Sequence, residues 1–154
     1  MKRRSFLKGS LAGGTIAVAV GAGLLNPRTV LAAWPSSAFE AKSPADAMNG
    51  LYGSADNTTS GAIKIKAPDI AENGAVVPVT VETSLQGVSA IAIMAEKNAQ
   101  PLAANFELAA NAKGTVSTRI KMGKTSDVIA VVKSGGKLYT ARKNVKVTIG
   151  GCGG

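Results

Sequence analysis

Val-Val-Pro-Val-Thr-Val-Glu-Thr-Ser-Leu-Gln-Gly-Val-Ser-Ala-Ile-Ala-Ile, residues 76–93, decides the fold. Val77, Val79 and Val81 alternate with Pro78, Thr80 and Glu82, a turn pair Gln86-Gly87 follows, and Val88, Ile91 and Ile93 begin a second run. Side chains on a strand alternate between faces, so each run fits a half-buried strand. Working outward, Ile63 and Ile65 alternate with Lys64 and Lys66, and further strands are expected at 102–108, 115–121, 127–133 and 137–149, the last with Val145, Val147 and Ile149 set against Lys146 and Thr148. Asn73-Gly74, residues 98–101, 111–114 and 123–126, and Gly135-Gly136 separate them. About seven strands with no helical period between them predict an all-β fold, an antiparallel immunoglobulin-like β-sandwich. Parallel α/β folds would need crossover helices that this stretch lacks. Pro78 cannot donate to a ladder and suits an edge or bulge at that position.

Before the strands, two short helices are expected. Ser37-Ala38-Phe39-Glu40 fits a capping box. Ser43-Pro44 reads as a second cap with proline at the first helical position, and that helix stops near Gly53. Phe39, Met48, Leu51 and Tyr52 form the stripe that packs against a sheet.

Residues 1–32 read as an export signal, not as fold. Lys2-Arg3-Arg4-Ser5-Phe6-Leu7-Lys8 is a basic start; residues 11–25 are apolar, uncharged and too short for a membrane span; Val30-Leu31-Ala32-Ala33 offers cleavage after Ala32 or Ala33. Arg3, Arg4, Phe6 and Leu7 resemble the twin-arginine signal, which directs folded proteins to the periplasm. Removing the segment takes away five basic residues and no acid, so the formal charge drops from +9 to +4. The high isoelectric point is largely the signal's. The remaining basic residues are scattered singly, and Arg142, Lys143 and Lys146 would be split between strand faces. With few aromatics for stacking, a nucleic-acid surface is not expected. The mature part, 33–149 followed by an arm at 150–154, is enough for one domain and no more.

The chemistry is set by what is missing. The chain has no histidine and one cysteine, so a histidine base, a histidine-ligated haem or zinc and a thiolate zinc site are all excluded, and no metal or cofactor is expected. The carboxylates form no acid/base motif, and Asp69 and Glu72 read as solvated turn residues. Reactivity therefore falls on Cys152, in Gly150-Gly151-Cys152-Gly153-Gly154. Glycine has no Cβ and moves freely, so the pentad is a slim, flexible tether. From Ile149 its reach is on the order of 10 Å at about 3.3–3.6 Å per residue. A single thiol in an oxidising compartment either pairs between chains or reacts. Nothing nearby in sequence lowers the pKa of Cys152, which makes it a poor enzyme nucleophile and a good handle for another enzyme's active site. The reading is a substrate carrier, not an enzyme. The alternative is an assembly module linked through a Cys152 disulfide; a thiol oxidoreductase would need a resolving cysteine that is missing.

A twin-arginine signal, the segment from Trp34 to Gly53, a β-rich body and a Gly-Gly-Cys-Gly-Gly end together resemble the SoxY family, the sulfur carriers of the periplasmic Sox thiosulfate-oxidising system. The resemblance implies that Cys152 is the covalent attachment site for sulfur, as thiosulfonate or persulfide, and that Gly150, Gly151, Gly153 and Gly154 form the carrier arm. It also implies SoxZ as heterodimer partner. Transient complexes would follow with the haem protein SoxXA, which couples thiosulfate to the thiol, with the hydrolase SoxB, which releases sulfate, and in many systems with the sulfane dehydrogenase SoxCD.

Overall fold

The computed structural model describes residues 35–148. Two helices open it, α1 (Ser36–Glu40) and α2 (Pro44–Tyr52), followed by nine strands: β1 (Asn57–Thr59), β2 (Ile63–Lys66), β3 (Ile70–Ala71), β4 (Val77–Thr83), β5 (Val88–Ala95), β6 (Leu102–Glu107), β7 (Thr115–Ile120), β8 (Ser126–Ser134) and β9 (Lys137–Val147). One sheet runs β1-β9-β8-β5-β6, with β3 also beside β9, and a three-stranded sheet runs β2-β4-β7. The expected all-β sandwich is present. It carries two strands more than the sequence pattern showed, because β1 and β3 are two- or three-residue pieces too short to display a period.

β1 and β3 pair with β9 in parallel, at Asn57↔Leu138 and Ile70↔Lys146, while every other pairing is antiparallel. The sandwich is therefore antiparallel except along that one edge of β9. Between the sheets lies a core of Val77, Val79 and Val81 from β4, Ile91 and Ile93 from β5, and Val128, Val132 and Val145 from β8 and β9. β4 is the middle strand of its sheet, yet Pro78 breaks no ladder. β2 pairs only with residues 80–83, so at Pro78 the strand has a neighbour on the β7 side alone, opposite Arg119.

The expectation of a half-buried strand fails for β5, and β8 beside it is buried in the same way. Ala90 to Ala95 and Val128 to Val132 are buried throughout, because α1 and α2 cover the outer face of the large sheet. Ala38, Ala47 and Met48 of the helices pack there on Ala92, Met94, Ile129, Val131 and Leu138, with Phe39, Leu51 and Tyr52 alongside. The helical stripe thus packs on a sheet as its pattern suggested, and the described residues form three layers. Alanine at position 92 leaves room for a helix to approach.

Ser43 caps α2 as expected, its Oγ accepting from the Asp46 amide at 3.1 Å, and Gly53 ends the helix with φ of 73°. The capping box at Ser37 is corrected: α1 starts at Ser36, its capping position is Pro35, two residues earlier than expected, and no side chain caps it. The carbonyl of Pro35 accepts from the amides of Ala38 and Phe39 at 3.0 and 3.3 Å, so Ser37 sits inside the first turn.

Candidate functional site: the root of the C-terminal arm

β9 is the element that leads to the tail. It returns from β8 through Gly135-Gly136, whose φ values of 55° and 78° suit a two-residue turn of the type that matches strand twist. Along β9, alternation sends Tyr139, Ala141, Val145 and Val147 to the sandwich core and Leu138 to the helix layer. Arg142 and Lys143 accordingly part company. Arg142 meets Glu96 at 2.7 Å and Asp127 at 3.9 Å, whereas Lys143 reaches the Ala67 carbonyl at 2.7 Å and Asp69 at 3.1 Å.

The last residues of β9 are tied from both sides. On one side, Ala71 pairs with Val147, the Lys146 amide donates to the Asp69 carbonyl at 2.9 Å, and the Thr148 amide donates to the Ala71 carbonyl at 3.1 Å. On the other, the Val147 amide donates to Thr125 Oγ1 at 2.9 Å. Gly74 completes the clamp: its carbonyl accepts from the Met122 amide at 2.7 Å, and a Cβ there would overlap the Met122 carbonyl and the Val147 side chain. A tail leaving β9 is therefore anchored up to Thr148, four residues before Cys152.

Beside this root the fold gathers lysines that the sequence scatters. Lys97, Lys121 and Lys124 line an open cleft of about 540 Å³ with Asn98, Ala99 and Gln100, and no acid lines it. Asn98 fixes the frame, donating from Nδ2 to the Lys121 carbonyl at 2.7 Å and accepting at Oδ1 from the Gly123 amide at 3.0 Å. Sequence reasoning missed this cluster because its members lie on two loops more than twenty residues apart. Ile70 and Val76, the exposed large hydrophobics among the described residues, lie on the segment leading to and from Gly74.

Cys152, the arm glycines Gly150, Gly151, Gly153 and Gly154, and the export residues Arg3, Arg4, Phe6 and Leu7 lie outside the described residues. Asp69 keeps its expected exposure, 90% of its side chain open to solvent despite the contact with Lys143. Among the described residues there is no cluster of three or more acidic, histidine or cysteine side chains able to hold a metal. No helix among them is long and apolar enough to cross a membrane.

A three-layer sandwich without histidine, with the one cysteine of the sequence four residues beyond the clamped Thr148, defines a class: a β-sandwich protein whose single thiol follows its last described strand. Comparison with known proteins agrees. The family described as "Sulfur oxidation protein SoxY" matches residues 48–152. The solved sulfur carrier protein SoxY from Chlorobium limicola f thiosulfatophilum is 49% identical, with a TM-score of 0.62, over 68% of this chain and 94% of that one. The chain belongs to the SoxY family. The sandwich itself is shared more widely. A superoxide reductase (neelaredoxin) from Ignicoccus hospitalis superposes with a TM-score of 0.50 at 20% identity, over 56% of this chain and 80% of that one, and a single-residue variant of it gives 0.51 at 18%, over 59% and 81%. At those identities the likeness is one of fold alone. Among curated proteins none matches the chain.

Proposed function

We propose that this protein is a periplasmic covalent sulfur carrier of thiosulfate oxidation, with Cys152 as the attachment site. One observation carries the reading: the family match runs from α2 through the whole sandwich and ends on Cys152 itself. The named relative is a sulfur carrier. The clamp on Thr148 supports it mechanically, since an arm is useful when its root is rigid and its tip is free.

The Cys152 thiol and thiosulfate join through a new S–S bond to give Cys–S–S–SO3⁻, losing a proton and two electrons, which the haem protein SoxXA accepts. Water then attacks the sulfonate sulfur in SoxB, and the bond between it and the sulfane sulfur breaks, leaving Cys–S–S⁻, sulfate and two protons. SoxCD, where present, takes six electrons from the outer sulfur of that persulfide while three waters supply its oxygens and six protons leave, giving Cys–S–SO3⁻, and a further hydrolysis releases sulfate and frees the thiol. SoxZ completes the carrier as a heterodimer. The chain itself supplies no acid, base, metal or cofactor; it supplies a thiol and four flanking glycines narrow enough to enter unlike active sites. Export follows the twin-arginine route through Arg3, Arg4, Phe6 and Leu7.

Intact-mass spectrometry of the exported protein, before and after mild reduction, tests this. Expected are reducible additions of sulfur or thiosulfate confined to Cys152 in cells grown on reduced sulfur, lost in Cys152→Ser. Gly151→Val or Gly153→Val should keep the fold and block removal of the adduct by a partner enzyme, because a branched side chain widens the arm. An unmodified thiol, or only a stable Cys152-linked homodimer, would replace the carrier with the assembly module.

A further inference from the structure

We infer that the cleft lined by Lys97, Lys121 and Lys124 is a resting dock for the anionic end of the cargo, holding the sulfonate of Cys–S–S–SO3⁻ between visits to partner enzymes. The inference rests on the carrier reading for its ligand, and on four observations for its place. First, three lysines line one concavity that no acidic residue lines. Secondly, these lysines are free to bind an anion. The ion pairs of the described residues join Lys66 to Glu82, Arg142 to Glu96 and Asp127, and Lys143 to Asp69, and none uses a cleft lysine. Glu96 and Asp127, the acids nearest in sequence to the two loops, are thereby turned to Arg142.

Thirdly, the frame is preformed. Both polar ends of the Asn98 side chain are committed to the 121–123 backbone, which welds the two lysine-bearing loops together without a ligand. A preformed backbone frame loses less freedom on binding than a floppy one. Fourthly, the cleft is within the arm's range. Lys124 immediately precedes Thr125, whose Oγ1 receives the Val147 amide. From Thr148 the four residues to Cys152 extend at most about 14 Å, and the disulfide-linked sulfonate adds further length. A tethered anion needs little intrinsic affinity, since a short tether holds it at millimolar effective concentration. A charged pair about 4 Å apart in water gains about 1 kcal/mol, roughly fivefold in occupancy, and three lysines share the load.

The electrostatic half of the inference is read on the protein alone, from the rates at which Cys152 is alkylated by anionic iodoacetate and by neutral iodoacetamide. At low ionic strength the ratio of the two rates should be about fivefold higher than for a free Gly-Gly-Cys-Gly-Gly peptide. It should fall to the peptide's value in Lys97→Gln/Lys121→Gln/Lys124→Gln and in 0.5 M salt. Lys137→Gln, at the opposite end of β9, should leave it unchanged. An equal ratio in the triple variant and the wild type overturns the dock.

The cargo half uses tetrathionate as loading reagent. The Cys152 thiolate attacks a central sulfur, thiosulfate leaves, and Cys–S–S–SO3⁻ remains, with no other oxidant required. Amide resonances of residues 97–100 and 121–124 should then shift, more than in protein capped with neutral iodoacetamide, and return on reduction. Shifts confined to residues beyond 147 would sink the proposal and leave the lysines to face an acidic partner surface. Failure of the carrier reading looks different: a native thiol without sulfur in the exported protein, beside an intact iodoacetate preference.

Discussion

Tyr52 shows how one side chain can register the joint between two layers. It is the last residue of α2, its hydroxyl donates to Asn105 Oδ1 of β6 at 3.0 Å, and Lys133 Nζ of β8 stands 5.5 Å from its ring centre. Burial first, and the nearby Glu107 carboxylate second, hold its ionisation well above the usual tyrosine range. The folded state therefore keeps the phenol proton to higher pH than the unfolded chain, whose tyrosine titrates near 10. This contribution is complete below that pH and is lost as pH rises above it toward the folded value. Tyr52→Phe should cost about 1 kcal/mol at neutral pH through the lost hydrogen bond, and should flatten the fall in stability above pH ~10, as read by denaturant midpoints across a pH series. A wild type and variant with parallel alkaline slopes would contradict the assignment. At this scale the sequence was only partly readable. It marked Tyr52 as one of four residues of a packing stripe, but Asn105 lies fifty-three positions away, and no local pattern announces such a pairing.

Strand β9 is the element on which the arm's mechanics rest. Its alternation is plain in the sequence because Val145 and Val147 face a single core, and its turn is plain because two successive glycines are needed there. Its neighbours β1 and β3 were invisible for the opposite reason, since Asn57–Thr59 is polar throughout and Ile70–Ala71 is too short to alternate. β5 misled in a third way: Ile91 and Ile93 alternate with Ala90, Ala92 and Met94, so a strand buried on both faces looked half-buried until the helices were placed. The clamp at the end of β9 depends on a side chain that no strand pattern predicts. Thr125 Oγ1 takes the Val147 amide and, at 3.4 Å, turns its own hydroxyl toward the Val147 carbonyl. Thr125→Val keeps the shape and removes the acceptor. We expect a loss of about 1 kcal/mol in local stability, seen as roughly fivefold faster hydrogen exchange at the Val147 amide with the rest of β9 unchanged. Uniform acceleration along β8 and β9 would mean that the root opens only with the whole sheet and that Thr125 is no separate latch.

At the scale of the molecule, the helix layer and the arm root serve different ends of β9, and the fold keeps them apart. The helices cover an apolar face of Met94, Ile129, Val131 and Leu138, and Tyr52 reaches toward Lys133 near the β8–β9 hairpin, away from the Thr125–Val147 clamp. The two helices meet where Gly50 lies against Ala38: a Cβ at position 50 would come within 2.8 Å of the Ala38 Cα and amide nitrogen. These are backbone atoms and cannot swing aside, so a larger residue must separate the helices or lift α1 from the sheet. Gly50→Val should cost about 1–3 kcal/mol as an overpacked contact and should increase binding of a hydrophobic dye as the sheet face opens. The exchange rates at Val147 and Thr148 and the alkylation ratio at Cys152 should stay at wild-type values, because β8 and β9 are paired with each other from Ser126↔Val145 to Ser134↔Lys137 through a ladder that uses no helix residue. A Gly50→Val protein that loses protection at Val147 along with its helix layer would show instead that the outer layer holds the arm's root through the sheet, and that the sandwich works as one mechanical unit.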